Sequence, residues 1–478
     1  MNFDNCGSRQ QSYPCPVPRS RPRRQEAKKF SAIRNGQSSV KTTNVGPSTQ
    51  VSYEIVQPHE AERLCARNTA PCSPTLMATG LETPFRIEIP DEKLEFLKKK
   101  LELAVLPDEL RDAKRDFGVP LADIQRLVAR WRDGYDWRKH EAQLNEELPQ
   151  YTRDIEVDGF GLFHVHYVHQ RSDVKNAIPL LFIHGWPGSF IEVRKILPLL
   201  TQASPEHPNF HVVAISLPGF GFSTAPTKKG FALTQYAELC NKLMVSLGYN
   251  EYVTQGGDWG SFISRKIAQL YGGKHAKGWH TNLPVISPPK PHTRPFLYLS
   301  HLFVKLTPTE KAGLERSEWF RQKGQGYYIQ QSTQPQTLGY SLADSPLGLL
   351  AWIYEKLVNW TDGYEWDDDE VLTWISIYWF SRAGPAASLR IYYEVNEILV
   401  QNMGSTNIPM GYSYFPKELV IMPRRWLKAP NLVFESGHDN GGHFAAHEVP
   451  ELLVGDLRKM FGKGGPAAGV VSGQTGYA

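Results

Sequence analysis

The stretch Val253-Thr254-Gln255-Gly256-Gly257-Asp258-Trp259-Gly260-Ser261-Phe262 reads as the end of a strand running straight into a helix. Gly256 and Gly260 stand two residues before and two after Asp258, the spacing of a nucleophile elbow whose tip stands clear of the backbone. The usual tip residue is serine, whereas here it is a carboxylate. A carboxylate can displace at an alkyl carbon and leave an ester, which is then hydrolysed at its carbonyl. Moving the frame to Ser261 fails, because Ile263 would then occupy a position that needs a small residue. The alternative is a Gly-Gly-Asp turn in which Asp258 merely caps the helix that follows.

Outward from the elbow, strand and helix alternate. Ile178 to Ile183 is an apolar run of strand length, ending in His184-Gly185-Trp186-Pro187-Gly188-Ser189, and a helix follows through Val193, Ile196 and Leu200. His211 to Ser216 is the next strand, followed by Leu217-Pro218-Gly219-Phe220-Gly221-Phe222-Ser223 and an amphipathic helix over Leu233 to Leu247. Gly278 to Asn282 supplies a strand after the elbow helix. Such alternation predicts a mostly parallel sheet. Upstream, Asp154 to Val157 and Leu162 to Val168 flank Asp158-Gly159 as a hairpin. His164 and His166 share a face of the second strand, with His169 beyond, but no other ligand type clusters with them, so no metal is expected.

Residues 151–283 therefore form the first part of an α/β core. Before it, residues 83–150 carry a helix opened by Pro90-Asp91, with Leu94, Leu97 and Leu101 on one face. A second helix, within Phe117 to Trp131, presents Leu121, Ile124, Leu127, Val128 and Trp131. This segment is expected to pack on the catalytic domain. Residues 284–410 turn helical and aromatic-rich, as a lid over the carboxyl edge of the sheet would. The strand pattern resumes at Asn431 to Phe434 within a second core part, residues 411–462. Residues 1–80 read as a disordered polar and basic leader and residues 463–478 as a flexible tail.

Composition narrows the function classes. A formal charge of +4 over 478 residues is too small for a chain whose main partner is nucleic acid, which needs a concentrated basic face. The five cysteines, Cys6, Cys15, Cys65, Cys72 and Cys240, show neither a disulfide framework nor paired zinc-ligand spacing, which points to a reducing, cytoplasmic setting. No apolar run approaches the roughly 18 to 20 residues that span a bilayer.

Partners for Asp258 occur in the order nucleophile, acid, histidine. His443, beside Gly441 and Gly442, follows the last strand, with a helix-capping role as its plainer reading. Glu418 is placed to orient it, because Glu435 and Asp439 share the histidine's own loop. A surface charge is the plainer reading of Glu418. The backbone N–H groups of Trp186 and Trp259 would converge on the ester oxygen at Asp258 as an oxyanion hole. Pro187 has no N–H to offer.

These motifs resemble the microsomal-type epoxide hydrolases, including soluble fungal members. The likeness runs from about Thr83 to Gly462. It rests on Phe117-Gly118-Val119-Pro120-Leu121, Tyr135-Asp136-Trp137-Arg138, Leu144-Asn145, the His184 and Leu217 loops, Gly257-Asp258-Trp259-Gly260 and Gly441-Gly442-His443-Phe444-Ala445-Ala446. It implies an α/β-hydrolase fold with a helical lid after the strand that follows the elbow, and an N-terminal helical segment. It also implies hydrolysis of a small-molecule epoxide by water to a vicinal diol, with no cofactor. Two lid tyrosines that hold the epoxide oxygen match Tyr327 and Tyr392, each with a neighbouring tyrosine, Tyr328 or Tyr393, one slip away. The family's acid matches Glu418. The polar leader is extra, the anchoring helix of the animal enzymes has no counterpart, and a homodimer stays open. The rivals are a haloalkane dehalogenase, whose family this chain resembles in an aspartate elbow followed by Trp but which carries Asn after His-Gly, where this chain has Trp186, and lacks the N-terminal helical segment, and a catalytically silent binding protein on the same scaffold.

Overall fold

A computed structural model describes residues 81–292, 294–396 and 404–478. The expected leader, residues 1–80, lies outside the described residues. Among the described residues nine strands form one sheet in the order β1-β2-β3-β5-β4-β6-β7-β8-β9. The strands are β1 (Thr83–Phe85), β2 (Gln150–Val157), β3 (Gly161–Gln170), β4 (Ile178–Ile183), β5 (Phe210–Ile215), β6 (Tyr252–Gly256), β7 (Ala276–Thr281), β8 (Met410–Tyr414) and β9 (Leu432–Gly437). From β5 through β4, β6, β7, β8 and β9 every pairing is parallel, whereas β1, β2 and β3 add on antiparallel. The mostly parallel α/β-hydrolase sheet is as the alternation predicts. Every residue of β4 and β6 is buried, as expected of central parallel strands covered on both faces.

Among the described residues three α-helices precede β2: α1 (Asp91–Glu102), α2 (Leu121–Asp133) and α3 (Trp137–Glu147). Those of the core's first half are α4 (Ile196–Thr201), α5 (Leu233–Ser246) and α6 (Trp259–Tyr271). Between β7 and β8 lie α7 (Pro295–Phe303), α8 (Pro308–Trp319), α9 (Gly326–Thr333), α10 (Pro335–Asp344), α11 (Pro346–Asn359), α12 (Asp368–Trp379) and α13 (Arg390–Asn396). The short α14 (Arg424–Leu427) and α15 (Ala445–Glu448) precede the closing α16 (Pro450–Phe461).

The N-terminal helices pack on the lid as well as the core. Ile124, Leu127, Val128 and Trp131 of α2 are buried. Arg130 holds Asp369 of α12 through two hydrogen bonds of 2.7 and 2.8 Å, Arg126 pairs with Asp368, and Lys100 of α1 reaches Asp344 of α10 at 2.6 Å. Ion pairs at a solvent edge add little to stability, whereas a fully buried Leu or Ile contributes about 2 kcal/mol. The apolar face therefore holds the segment and the charges set its register.

Two expectations change. Met410-Gly411-Tyr412-Ser413-Tyr414 is a strand that the sequence pattern does not single out, because its glycine and serine break the apolar run. Residues 463–478 are not loose: Ala467, Val471 and Tyr477 are buried, Asn209 N–H donates to Gly476 O at 2.7 Å, and Gly476 N–H donates to Asn176 O at 2.6 Å. A glycine-rich segment without periodicity reads as tail, yet its backbone can follow a surface closely enough to hydrogen-bond with it.

Candidate active site

Asp258 stands between β6 and α6 with φ 47° and ψ −126°, a conformation that costs a non-glycine residue energy and lifts its side chain off the turn. Close packing enforces the turn. A side chain at Gly260 would place its Cβ 1.9 Å from Ile183 O, and one at Gly185 would meet Asp258 Oδ1 at 2.2 Å. Asp258 is not a helix cap by side-chain bonding, since it makes no capping hydrogen bond. Instead its Oδ1 accepts the Trp186 N–H at 2.9 Å.

The loop after β4 that carries Trp186 is pinned from the lid. Trp374 Nε1 of α12 donates to Pro187 O at 2.5 Å and the Tyr378 hydroxyl donates to Gly188 O at 2.6 Å. The Trp186–Pro187 peptide bond is cis. Trp259 opens α6, so its N–H is among those at a helix start that lack an intrahelical acceptor.

His443 Nε2 lies 3.4 Å from Asp258 Oδ2, and its Nδ1 lies 2.5 Å from Glu418 Oε1. The histidine's loop and the acid's loop are joined by a parallel bridge between Lys417 and Gly442, and by Lys417 N–H donating to Gly441 O at 3.1 Å. Glu418 Oε1 also accepts the Leu419 N–H at 2.7 Å. Behind this loop a buried network runs across the sheet: His280 Nε2 meets Ser413 Oγ at 3.0 Å, while Ser413 and His438 both reach Asp456 Oδ2, at 2.5 and 2.6 Å. It fixes the end of β9 from which His443 departs. Burial disfavours the charge on His443, but Glu418 and Asp258 outweigh it and raise its pKa to about 10.

Four aromatic rings close the site from above. Trp186 stacks on Tyr327 of α9, with ring centres 5.1 Å apart and planes 11° apart. Tyr392 of α13 stands edge-on to Trp259 at 4.8 Å and to Tyr327 at 5.8 Å. The Tyr392 hydroxyl is buried without a hydrogen-bond partner among the described residues. Burial, reinforced by nearby Asp258, pushes both phenols well above their usual pKa, so they remain O–H donors. The neighbouring tyrosines face elsewhere: the Tyr328 hydroxyl donates to Asn396 at 3.0 Å, and Tyr393 is 40% exposed beside Lys229.

The six other residues singled out from the sequence thus gather about Asp258, Glu418 through His443. Sequence reasoning counts Trp360 only among the lid aromatics that favour an apolar epoxide or pack the core. Its carbonyl accepts the His443 N–H at 2.8 Å, and its ring lies 5.0 Å from the imidazole and 5.1 Å from Tyr327. No spacing rule marks such a residue. The paired histidines of β3 are absorbed by neighbours: His164 meets Asp154 at 2.8 Å, while His166 meets Ser216 at 2.8 Å and Gln150 at 3.0 Å. Among the described residues no helix is long and apolar enough to cross a membrane.

Residues 82–193 match the epoxide hydrolase N terminus family and residues 178–318 the alpha/beta hydrolase fold family. The chain is 36% identical to epoxide hydrolase 1 of Sus scrofa over 412 residues, 79% of this chain and 88% of the relative. The solved epoxide hydrolase of Aspergillus niger is 35% identical, with a TM-score of 0.70 covering 80% of this chain and 96% of its own. Juvenile hormone epoxide hydrolase from the silkworm Bombyx mori superposes with a TM-score of 0.72 at 28% identity, covering 79% and 93%.

Proposed function

The chain belongs to the epoxide hydrolase family and hydrolyses epoxides, and from that premise we propose that it does so in two steps through a covalent ester on Asp258. In the first step Asp258 attacks one ring carbon, the C–O bond breaks, and Tyr327 and Tyr392 donate to the departing oxygen, one of them giving up its proton. In the second, His443 removes a proton from water, whose oxygen attacks the ester carbonyl. The Trp186 and Trp259 amides hold the oxyanion, collapse breaks the bond to the diol oxygen, that oxygen takes the proton from His443, and the second water proton, left on the Asp258 carboxyl, passes to His443 and restores the starting pair. Glu418 keeps the imidazole oriented and stabilises its cation.

The single observation that carries this reading is the position of the Asp258 carboxylate. It sits between an N–H donor at 2.9 Å, a histidine at 3.4 Å and two buried phenols. The raised pKa of His443 fits the order of events. In the free enzyme imidazolium supports the Asp258 anion; esterification removes that anion, and imidazolium then gives its proton to the tyrosinate left by ring opening, so the imidazole is a base when water must be activated. Rapid-quench mass spectrometry of His443→Gln with styrene oxide tests the mechanism. The expected result is an adduct on the Asp258 peptide that persists after parental enzyme has turned over. Diol release without any adduct would overturn it.

The aromatic lining favours an apolar epoxide, although Trp374 and Tyr378 are committed to holding the Trp186 loop. A cytoplasmic location and a homodimer form part of this proposal, as the expectations drawn from composition and resemblance.

A further inference from the structure

Asp258 and His443 also line a small cavity that neither lid tyrosine reaches, with room for about one water molecule. Its other polar walls are Glu192, Gln255 and Asn282. Glu192 lies in the single helical turn Phe190–Val193 that follows the Trp186 loop, and it is 9% exposed. Two glycines of that loop make way for two carboxyl groups. A Cβ at Gly185 would stand 2.2 Å from Asp258 Oδ1, and one at Gly188 would stand 1.6 Å from Glu192 Oε1. The Glu192 carboxyl therefore occupies the space that a side chain at residue 188 would fill, within the same cavity as the nucleophile.

Gln255 supplies an independent observation. It is 1% exposed, its Nε2 donates to Asn282 Oδ1 at 2.9 Å, and its Oε1 is buried without a protein partner among the described residues. A buried acceptor left open beside a water-sized space calls for a water. Asn282 in turn donates to His443 O at 3.4 Å, tying this wall to the base.

We propose that Glu192, assisted by Gln255, is a positioning residue for ester hydrolysis: its carboxyl holds the water that His443 deprotonates and aims it at the ester carbonyl of Asp258. This rests on the two-step reading above. Water has two O–H bonds to dispose of. One donates to His443 Nε2 and is broken as the new C–O bond forms; the other donates to an oxygen of Glu192 or Gln255 and stays intact. Burial pushes the Glu192 pKa up to about 8, with His443 opposing and Asp258 adding to the rise, so a neutral carboxyl is available to accept that hydrogen bond without competing for the proton. Ser189 N–H donates to the same carboxyl and keeps it turned toward the loop.

The test is single-turnover rapid quench of the full-length protein with styrene oxide, following ester on the Asp258 peptide in the parent, Glu192→Leu and Glu192→Gln. Leu fills the volume without an acceptor, whereas Gln restores one. Ester formation in Glu192→Leu is expected within about twofold of the parent, and ester decay slower by about 10- to 100-fold, so that kcat and KM fall together. Glu192→Gln is expected to decay within about fivefold of the parent. Where Glu192→Leu fails to fold, Glu192→Ala takes its place in the contrast with Gln. Decay at the parental rate in a folded Leu or Ala variant would overturn the proposal, as would an equal loss in formation and decay. An absence of ester in the parent would remove the two-step reading itself, an outcome separable from both.

Discussion

The site is built in two halves that are held by different forces. Asp258, Trp186, Glu418 and His443 stand at strand ends of one sheet, and backbone contacts fix them: a positive φ at the elbow, glycines against carbonyls, a bridge from Lys417 to Gly442. Tyr327 and Tyr392 come from lid helices, and ring packing fixes them, against Trp186, Trp259, Trp360 and one another. In the proposed mechanism the first half makes and breaks the ester, and the second acts on the epoxide oxygen only. The two are joined through Trp186, which gives its N–H to Asp258 and its ring to Tyr327.

If the halves are separable, damage to each should appear in a different step. Asp258→Ala removes the atom that must be alkylated, and turnover of styrene oxide should fall by about 10^4-fold or more. Retention of a tenth of parental activity in a folded variant would move the nucleophile elsewhere. Tyr392→Phe and Tyr327→Phe each keep the ring packing and delete the donor. Ester formation should slow by about 10- to 100-fold while decay of preformed ester stays near the parental rate. Tyr328→Phe and Tyr393→Phe, whose hydroxyls point away, serve as controls and should change formation by less than about twofold. Equal effects at all four positions would deny the lid any specific role.

The smallest effect sharpens the sheet-borne half. His443 has its pKa raised in the free enzyme, to about 10, and part of the cause is Asp258. A base works only when neutral, so ester decay should rise with pH by about tenfold per unit and level off. Because esterification cancels the Asp258 charge, the half-maximum should lie below pH 10. A stopped-flow profile of ester decay that is still rising above pH 10 would mean that Asp258 contributes nothing to the shift.

The same division governs what could be read in advance. Gly256-Gly257-Asp258-Trp259-Gly260 specifies its turn locally, since a Cβ at Gly256 would meet the Gly260 backbone at 2.5 Å, and Gly260 must in turn lie against Ile183 O. His443 was legible from chain order and two neighbouring glycines, and Glu418 from the loop it had to occupy. Tyr327 and Tyr392 were not legible from residue type, spacing or periodicity. They entered through the resemblance, each with a neighbour that would have served as well. What separates Tyr327 from Tyr328 is burial: two adjacent helical residues point about 100° apart, and only the packed lid decides which one faces Asp258. Trp360 and Glu192 carried no local signal, because each matters through contacts with residues far away in sequence.

By itself, then, the sequence determined the sheet, the elbow and the chain order of Asp258, Glu418 and His443, since these follow from short-range backbone preference and apolar periodicity. Strand β8 and the packed residues 463–478 escaped it, for glycine and serine mask a pattern that only pairing restores. The tertiary structure alone decided which tyrosines converge on the carboxylate, how Trp186 couples the lid to the elbow, and that Glu192 shares a cavity with Asp258. Those are outcomes of packing between distant segments, and no window of sequence contains both partners.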